Sequence, residues 1–235
     1  LEAVKSERVE KRGSKNKIKA VKESYSSLAD RLGPAFKQAV NGGQTCRAME
    51  PSEIPASSRD AFCKGVIEYQ LHRVHEILNE DELMKAAFGD DGTPAAIFAP
   101  YFFIHDLWAV DGLKTAMDLA ARTVALRPGV PVHAVVCASQ TILSSAAHVK
   151  FLIDELPKTK AAGVWLWFEG FDEFKAPLDR LVALRNIVRG LNGRMDVFNL
   201  HGGYYSLLLS HDGLTGISHG VGYGEQKPVA QVIGA

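Results

Sequence analysis

Strand-like runs begin near residues 96, 132, 163 and 195, about 31–36 residues apart, and a helical apolar stripe fills each interval. The stripes are Leu113, Met117, Ala120 and Val124; Ile142, Ala146, Val149, Ile153 and Leu156; and Phe174, Leu178, Leu181, Leu184 and Val188. A strand over 195–200 leads to a short helix near 204–210. Asp212 and Gly213 then turn the chain into a strand over 214–218. Strands alternating with amphipathic helices predict a parallel sheet with right-handed crossovers.

Side chains alternate faces along a strand, so each run can be split in two. In the run Val164, Trp165, Leu166, Trp167, Phe168, Glu169, one face is aliphatic and the other sets a carboxylate beside two indoles. The same division predicts a mixed face holding His133 and Cys137, Trp165 and Trp167, Asn199 and His201, and Thr215 and His219. The opposite face would hold Val132, Ala134 and Val136, Val164, Leu166 and Phe168, and Phe198 and Leu200. Parallel strands of an open, doubly wound sheet are usually apolar on both faces, whereas the lumen of a (β/α)-barrel accepts mixed residues. The expectation is therefore an α/β protein with a TIM-like (β/α)-barrel over 94–235. It is partial, because five strands are evident, or six with 229–233. The chain opens without Met and stops just after that last run, so a stretch of a longer protein, or a trimmed form of one, is expected. Over 94–235 it resembles (β/α)-barrel enzymes as a fold class, and a fold class does not fix a function.

Residues 1–93 contain no convincing strand and read as a helical N-terminal segment. Ile18, Val21, Tyr25, Leu28 and Leu32 form one stripe ended by Gly33 and Pro34. A loop through Gly42, Gly43, Pro51 and Pro55 precedes a helix capped by Ser57 or Ser58, with Val66, Ile67, Leu71, Val74 and Leu78 on its apolar face. His72 and His75 on that helix are not the i, i+4 pair of a helical zinc site. The first 22 residues are rich in Lys and Arg, the footprint of a solvated helix face or an RNA-contacting arm; no aromatic residues interleave with the charges.

Over the whole chain 27 basic and 27 acidic residues cancel, which argues against a bulk attraction to nucleic acid or anionic membrane. No apolar run approaches the roughly 18 residues that suggest a membrane span. Cys46, Cys63 and Cys137 are too widely spaced for a zinc or redox motif and read as free thiols of a cytoplasmic protein.

In parallel α/β architectures ligands gather at the C-terminal strand ends. That rule selects His105 and Asp106; Cys137, Ser139 and Gln140; Glu169 and Asp172; Asn199, His201, Gly202 and Gly203; and the stretch 219–225. Glu169, partly desolvated beside indoles, suits acid/base work. Asp172 reads as the cap of a helix starting near Glu173. Gly202 and Gly203 let a backbone approach a ligand, and the helix start behind them offers N–H groups to an anion. Gly220, Gly222 and Gly224 form a second glycine-rich exit, without the spacing of a dinucleotide fingerprint. In barrels the last two such exits often hold phosphate.

The expected catalytic residues are thus Glu169, His201 and His219. The expected substrate-binding residues are His105, Asn199, Gly202, Gly203, Gly220, Tyr223, Glu225 and Lys227. The inventory suffices for a divalent metal, but no compact ligand motif supports one. The expected function is transfer or hydrolysis on a polar phosphorylated or glycosidic small molecule or nucleotide. The competing expectation is a binding protein on a barrel-like scaffold, with residues 1–93 as the contact module for a partner or for self-assembly.

Overall fold

A computed structural model describes residues 30–34, 51, 54–88 and 92–218. Its strands are β1 (Ile97–Phe98), β2 (Phe103–Ile104), β3 (Val132–Ser139), β4 (Gly163–Glu169), β5 (Asp196–Leu200) and β6 (Gly216–Ser218). Its helices are α1 (Arg59–Glu80), α2 (Glu82–Phe88), α3 (Ala109–Ala125), α4 (Ala146–Glu155), α5 (Leu178–Leu191) and α6 (Tyr204–Leu208). All ladders are parallel, and β3, β4, β5 and β6 pair in chain order. β1 and β2 both pair with β3, as two pieces of one interrupted edge strand. The protein is thus an α/β fold built on a parallel sheet with flanking helices. Among the described residues the sheet is open, with β1 and β2 at one edge and β6 at the other.

The two faces differ as the alternation in β3 and β4 predicts. Val132, Ala134, Val136, Ala138, Val164, Leu166 and Phe168 join the main core with apolar residues of α1, α3, α4 and α5. The other face is lined by Phe103, Val135, Cys137, Trp165 and Trp167, a separate cluster that contains no helical residue among those described. Among the described residues, the helices that join the core pack on the aliphatic-rich face of the sheet. The described part of the N-terminal segment lies in the helical layer. Phe62, Cys63 and Ile67 of α1 belong to the main core, and Arg59 of α1 donates to Asp118 of α3 at 2.8 Å. No described helix is long and apolar enough to cross a membrane.

At the free edge of β1 the Gln70 side chain takes the place of a neighbouring strand. Its Nε2 donates to the Phe98 carbonyl and its Oε1 accepts from the Phe98 N–H, both at 2.8 Å. An amide group satisfies both backbone groups and blunts the edge against pairing with another chain.

Two expectations are corrected. Register pairs Trp165 with Phe198 and Leu166 with Asn199, so Phe198 and Leu200 lie on the aromatic face while Val197 and Asn199 face the helices. The polarity of Asn199 had set the phase. That polarity is accommodated internally, because Asn199 Nδ2 donates to Ser206 Oγ at 2.7 Å and the residue is 4% exposed. The second correction concerns α5, which begins at Leu178 and not near Glu173. Pro177 stands at its N-cap and disfavours helical backbone in the residue before it. Phe174 and Leu178, assigned to the apolar stripe, are 79% and 74% exposed; the buried face is Ala183, Leu184, Ile187, Val188 and Leu191.

Candidate functional site

The parallel strands deliver their last residues to one end of the sheet. Ser139 and Glu169 are paired neighbours at the ends of β3 and β4. Ile104 pairs with Ala138, so His105, the next residue, emerges beside Ser139. Cys137 pairs with both Phe103 and Trp167, which sets an apolar row directly beneath these polar residues. His201 leaves β5 with φ +59, in the left-handed region. That conformation interrupts the alternation, and the imidazole comes within 5.6 Å of the Trp167 ring, between centroids. His105, Glu169, His201, Gly202 and Gly203 therefore share one rim. Asn199 is turned into the helical layer. His219, Gly220, Tyr223, Glu225 and Lys227 lie outside the described residues, as does the stripe from Ile18 to Leu28.

Hydrogen bonds sort the rim carboxylates by task. Asp106 accepts from the Thr141 hydroxyl, which also meets Ser139 Oγ at 3.0 Å. Partial burial pushes the Asp106 carboxyl up, but the hydrogen bonds from Thr141 and Ser139 and the nearby His105 outweigh it, so Asp106 titrates below the usual range. Asp172 is held low by Lys175, whose Nζ lies 3.1 Å away, and by the Phe174 N–H. It caps the turn before α5 and not the helix itself. Glu173 accepts from the backbone N–H groups of Tyr205 and Ser206, at 2.9 and 3.3 Å, and from the Ser206 hydroxyl. The helix start expected to attract an anion thus already has one from the protein itself. A Cβ on Gly203 would stand 2.8 Å from Glu173 Oε2, so glycine is needed there for the carboxylate to reach the turn.

Glu169 differs from all of these. It is half-buried at the end of β4, and no described residue offers it a hydrogen bond or a counter-charge. His105 is oriented for donation: its Nδ1 accepts from the Leu107 N–H at 3.2 Å, which leaves the ring proton on Nε2. Trp108, whose ring centroid lies 5.3 Å from that of His105, carries a buried indole N–H without a protein partner. Among the described residues no group of three or more His, Cys, Asp or Glu side chains is arranged to hold a metal.

The deeper aromatic layer serves packing. Trp165 stacks on Phe198 with centroids 4.6 Å apart, and its indole N–H donates to His133 Nδ1 at 3.0 Å. Burial lowers the His133 pKa, against the opposing charge of Asp196. The folded protein therefore takes up this proton less readily than the unfolded chain. The stability it protects is complete above the ordinary histidine value of about 6.5 and is lost as pH falls below it. Melting curves between pH 7.5 and 5 should show a steeper acid loss for the wild type than for His133→Phe; parallel curves would remove His133 as the cause.

Sequence reasoning missed Glu173, Trp108 and Arg180 as rim residues. In sequence Glu173 reads as a helix start, and nothing local to it signals a bond to residues more than 30 positions later.

The fold and the rim together define a parallel α/β protein wound in chain order, with polar groups gathered at the strand exits above an aromatic floor. No protein-family model, curated protein or solved structure matches the chain.

Proposed function

We propose that the chain is an enzyme, a transferase or hydrolase acting on a polar phosphorylated or glycosidic small molecule or nucleotide at the rim of strand ends. Glu169 is the general acid/base, and His105 and His201 orient the substrate or donate protons to it. The observation that carries this reading is the division of labour among the rim carboxylates. Asp106, Asp172 and Glu173 each hold protein groups in place, while the half-buried Glu169 carboxylate holds none among the described residues. A partly desolvated carboxyl without an internal partner is free to exchange a proton with a ligand. Trp167, beneath it on the same strand face, gives a sugar ring or base an apolar surface.

The test is a set of nitrophenyl glycosides, nitrophenyl phosphates, nucleosides and nucleoside monophosphates, each incubated with the full chain. Release of nitrophenol, base or phosphate is expected from at least one class, above the rate of heat-inactivated protein. Turnover of none, together with no ligand-induced change in tryptophan fluorescence, would count against the reading and favour a binding protein assembled through residues 1–93.

A further inference from the structure

Arginines elsewhere in the described chain have evident internal duties. Arg31, Arg59, Arg73, Arg122, Arg185 and Arg189 each meet a carboxylate. Arg127 and Arg194 are exposed and precede β3 and β5, at the end of the sheet away from the rim. Arg180 fits neither group. It lies in the first turn of α5, which follows the exit of β4, and it is half-buried. Its Nε donates to Ser144 Oγ at 2.8 Å and its Nη1 to Gln140 Oε1 at 2.6 Å. Both acceptors are neutral and both belong to the exit of β3. Two of the five N–H donors of a guanidinium are thereby used, its plane is fixed, and its charge has no carboxylate to balance it among the described residues.

Gln140 ties this group to the rim. While its Oε1 holds Arg180, its Nε2 lies against Gly170, where an added Cβ would stand only 2.9 Å away. Gly170 has φ +74 and directly follows Glu169. A half-buried cation held by neutral side chains, with no carboxylate bonded to it among the described residues, is costly unless a ligand supplies the missing charge.

We propose that Arg180 binds an oxyanion of the substrate, phosphate or carboxylate, and so sets the substrate's scissile centre against Glu169. This rests on the rim being the reactive site. The remaining donors of the guanidinium present the planar fork that matches two oxygens of such a group. Gln140 and Ser144 act as positioning residues.

The test uses the full chain and two anions, inorganic phosphate and acetate, each titrated at constant ionic strength against chloride, with melting temperature and tryptophan fluorescence as readouts. One of the two is expected to stabilise the wild type. Its apparent Kd should weaken about tenfold in Arg180→Gln and about threefold in Arg180→Lys, which keeps the charge and loses the fork. Phosphate as the stronger ligand would assign a phosphorylated substrate, acetate a carboxylic one. Glu169→Gln removes a neighbouring negative charge and should bind the anion as tightly as the wild type or more tightly. Failure of Glu169 as an acid/base therefore leaves anion binding standing. No response of the wild type to either anion overturns the proposal, as does an Arg180→Gln variant that responds like the wild type. If Arg180→Gln does not fold, unchanged affinity in Arg180→Lys overturns it equally.

Discussion

Glu169→Gln should reduce kcat on any substrate turned over at the rim by about 10²–10⁴-fold and leave the melting temperature within about a degree of the wild type. The large effect and the small one have the same origin. Glu169 ends β4 without a hydrogen bond or ion pair to a described residue, so the fold loses almost nothing when its charge is removed. An amide of the same shape still packs beside Trp167 but cannot exchange a proton at neutral pH. KM should change much less than kcat, because the carboxylate acts on the reacting centre while substrate is held by other groups. A variant with full turnover would dismiss Glu169 from the chemistry. A variant that melts far below the wild type would show instead that the carboxylate has a structural partner.

Glu173→Ala should have the opposite profile, a stability loss of about 3 kcal/mol, seen as a fall of roughly 6–12 °C in melting temperature. The carboxylate closes three hydrogen bonds at the start of α6, two to backbone N–H groups and one to the Ser206 hydroxyl, and Ser206 in turn accepts from the buried Asn199. Bonds to a charged acceptor contribute more than neutral ones, and their removal leaves half-buried donors unpaired. Glu173→Gln should recover about half of the loss, since one amide oxygen accepts but the charge at the helix start is gone. A melting temperature unchanged in Glu173→Ala would mean that water or another residue caps the turn as well as the carboxylate does.

The repeat of strand and helix was legible in the sequence because each βα unit carries its own two periodicities. The faces of β3 and β4 were legible for the same reason: every helix-facing position is apolar, while His133, Cys137, Ser139, Trp165, Trp167 and Glu169 fall on alternate positions. β5 is only five residues long, and one buried polar residue, Asn199, was enough to invert its assigned phase. Its partner Ser206 lies beyond two glycines and a left-handed histidine, a geometry no alternation rule encodes. The start of α5 was misplaced because apolar spacing was given more weight than Pro177. Glu169, His105 and His201 could be named because a parallel sheet sends every strand's last residues to one end. Glu173 and Arg180 could not, because their roles depend on which neighbouring exit each side chain reaches, a matter of three-dimensional spacing between loops. A carboxylate that serves the fold and one left unpaired read alike in a sequence.

Each described strand from β3 onward takes its place beside the one synthesised before it, and none is inserted between two earlier ones. A chain emerging from the ribosome can therefore extend the sheet in order, leaving intact the ladders already formed. Its growing side is always the newest strand, whereas on the oldest side the amide of Gln70 pairs both backbone groups of Phe98. Of the described margins, the one still offering backbone groups to the next segment during production is foremost that of the newest strand.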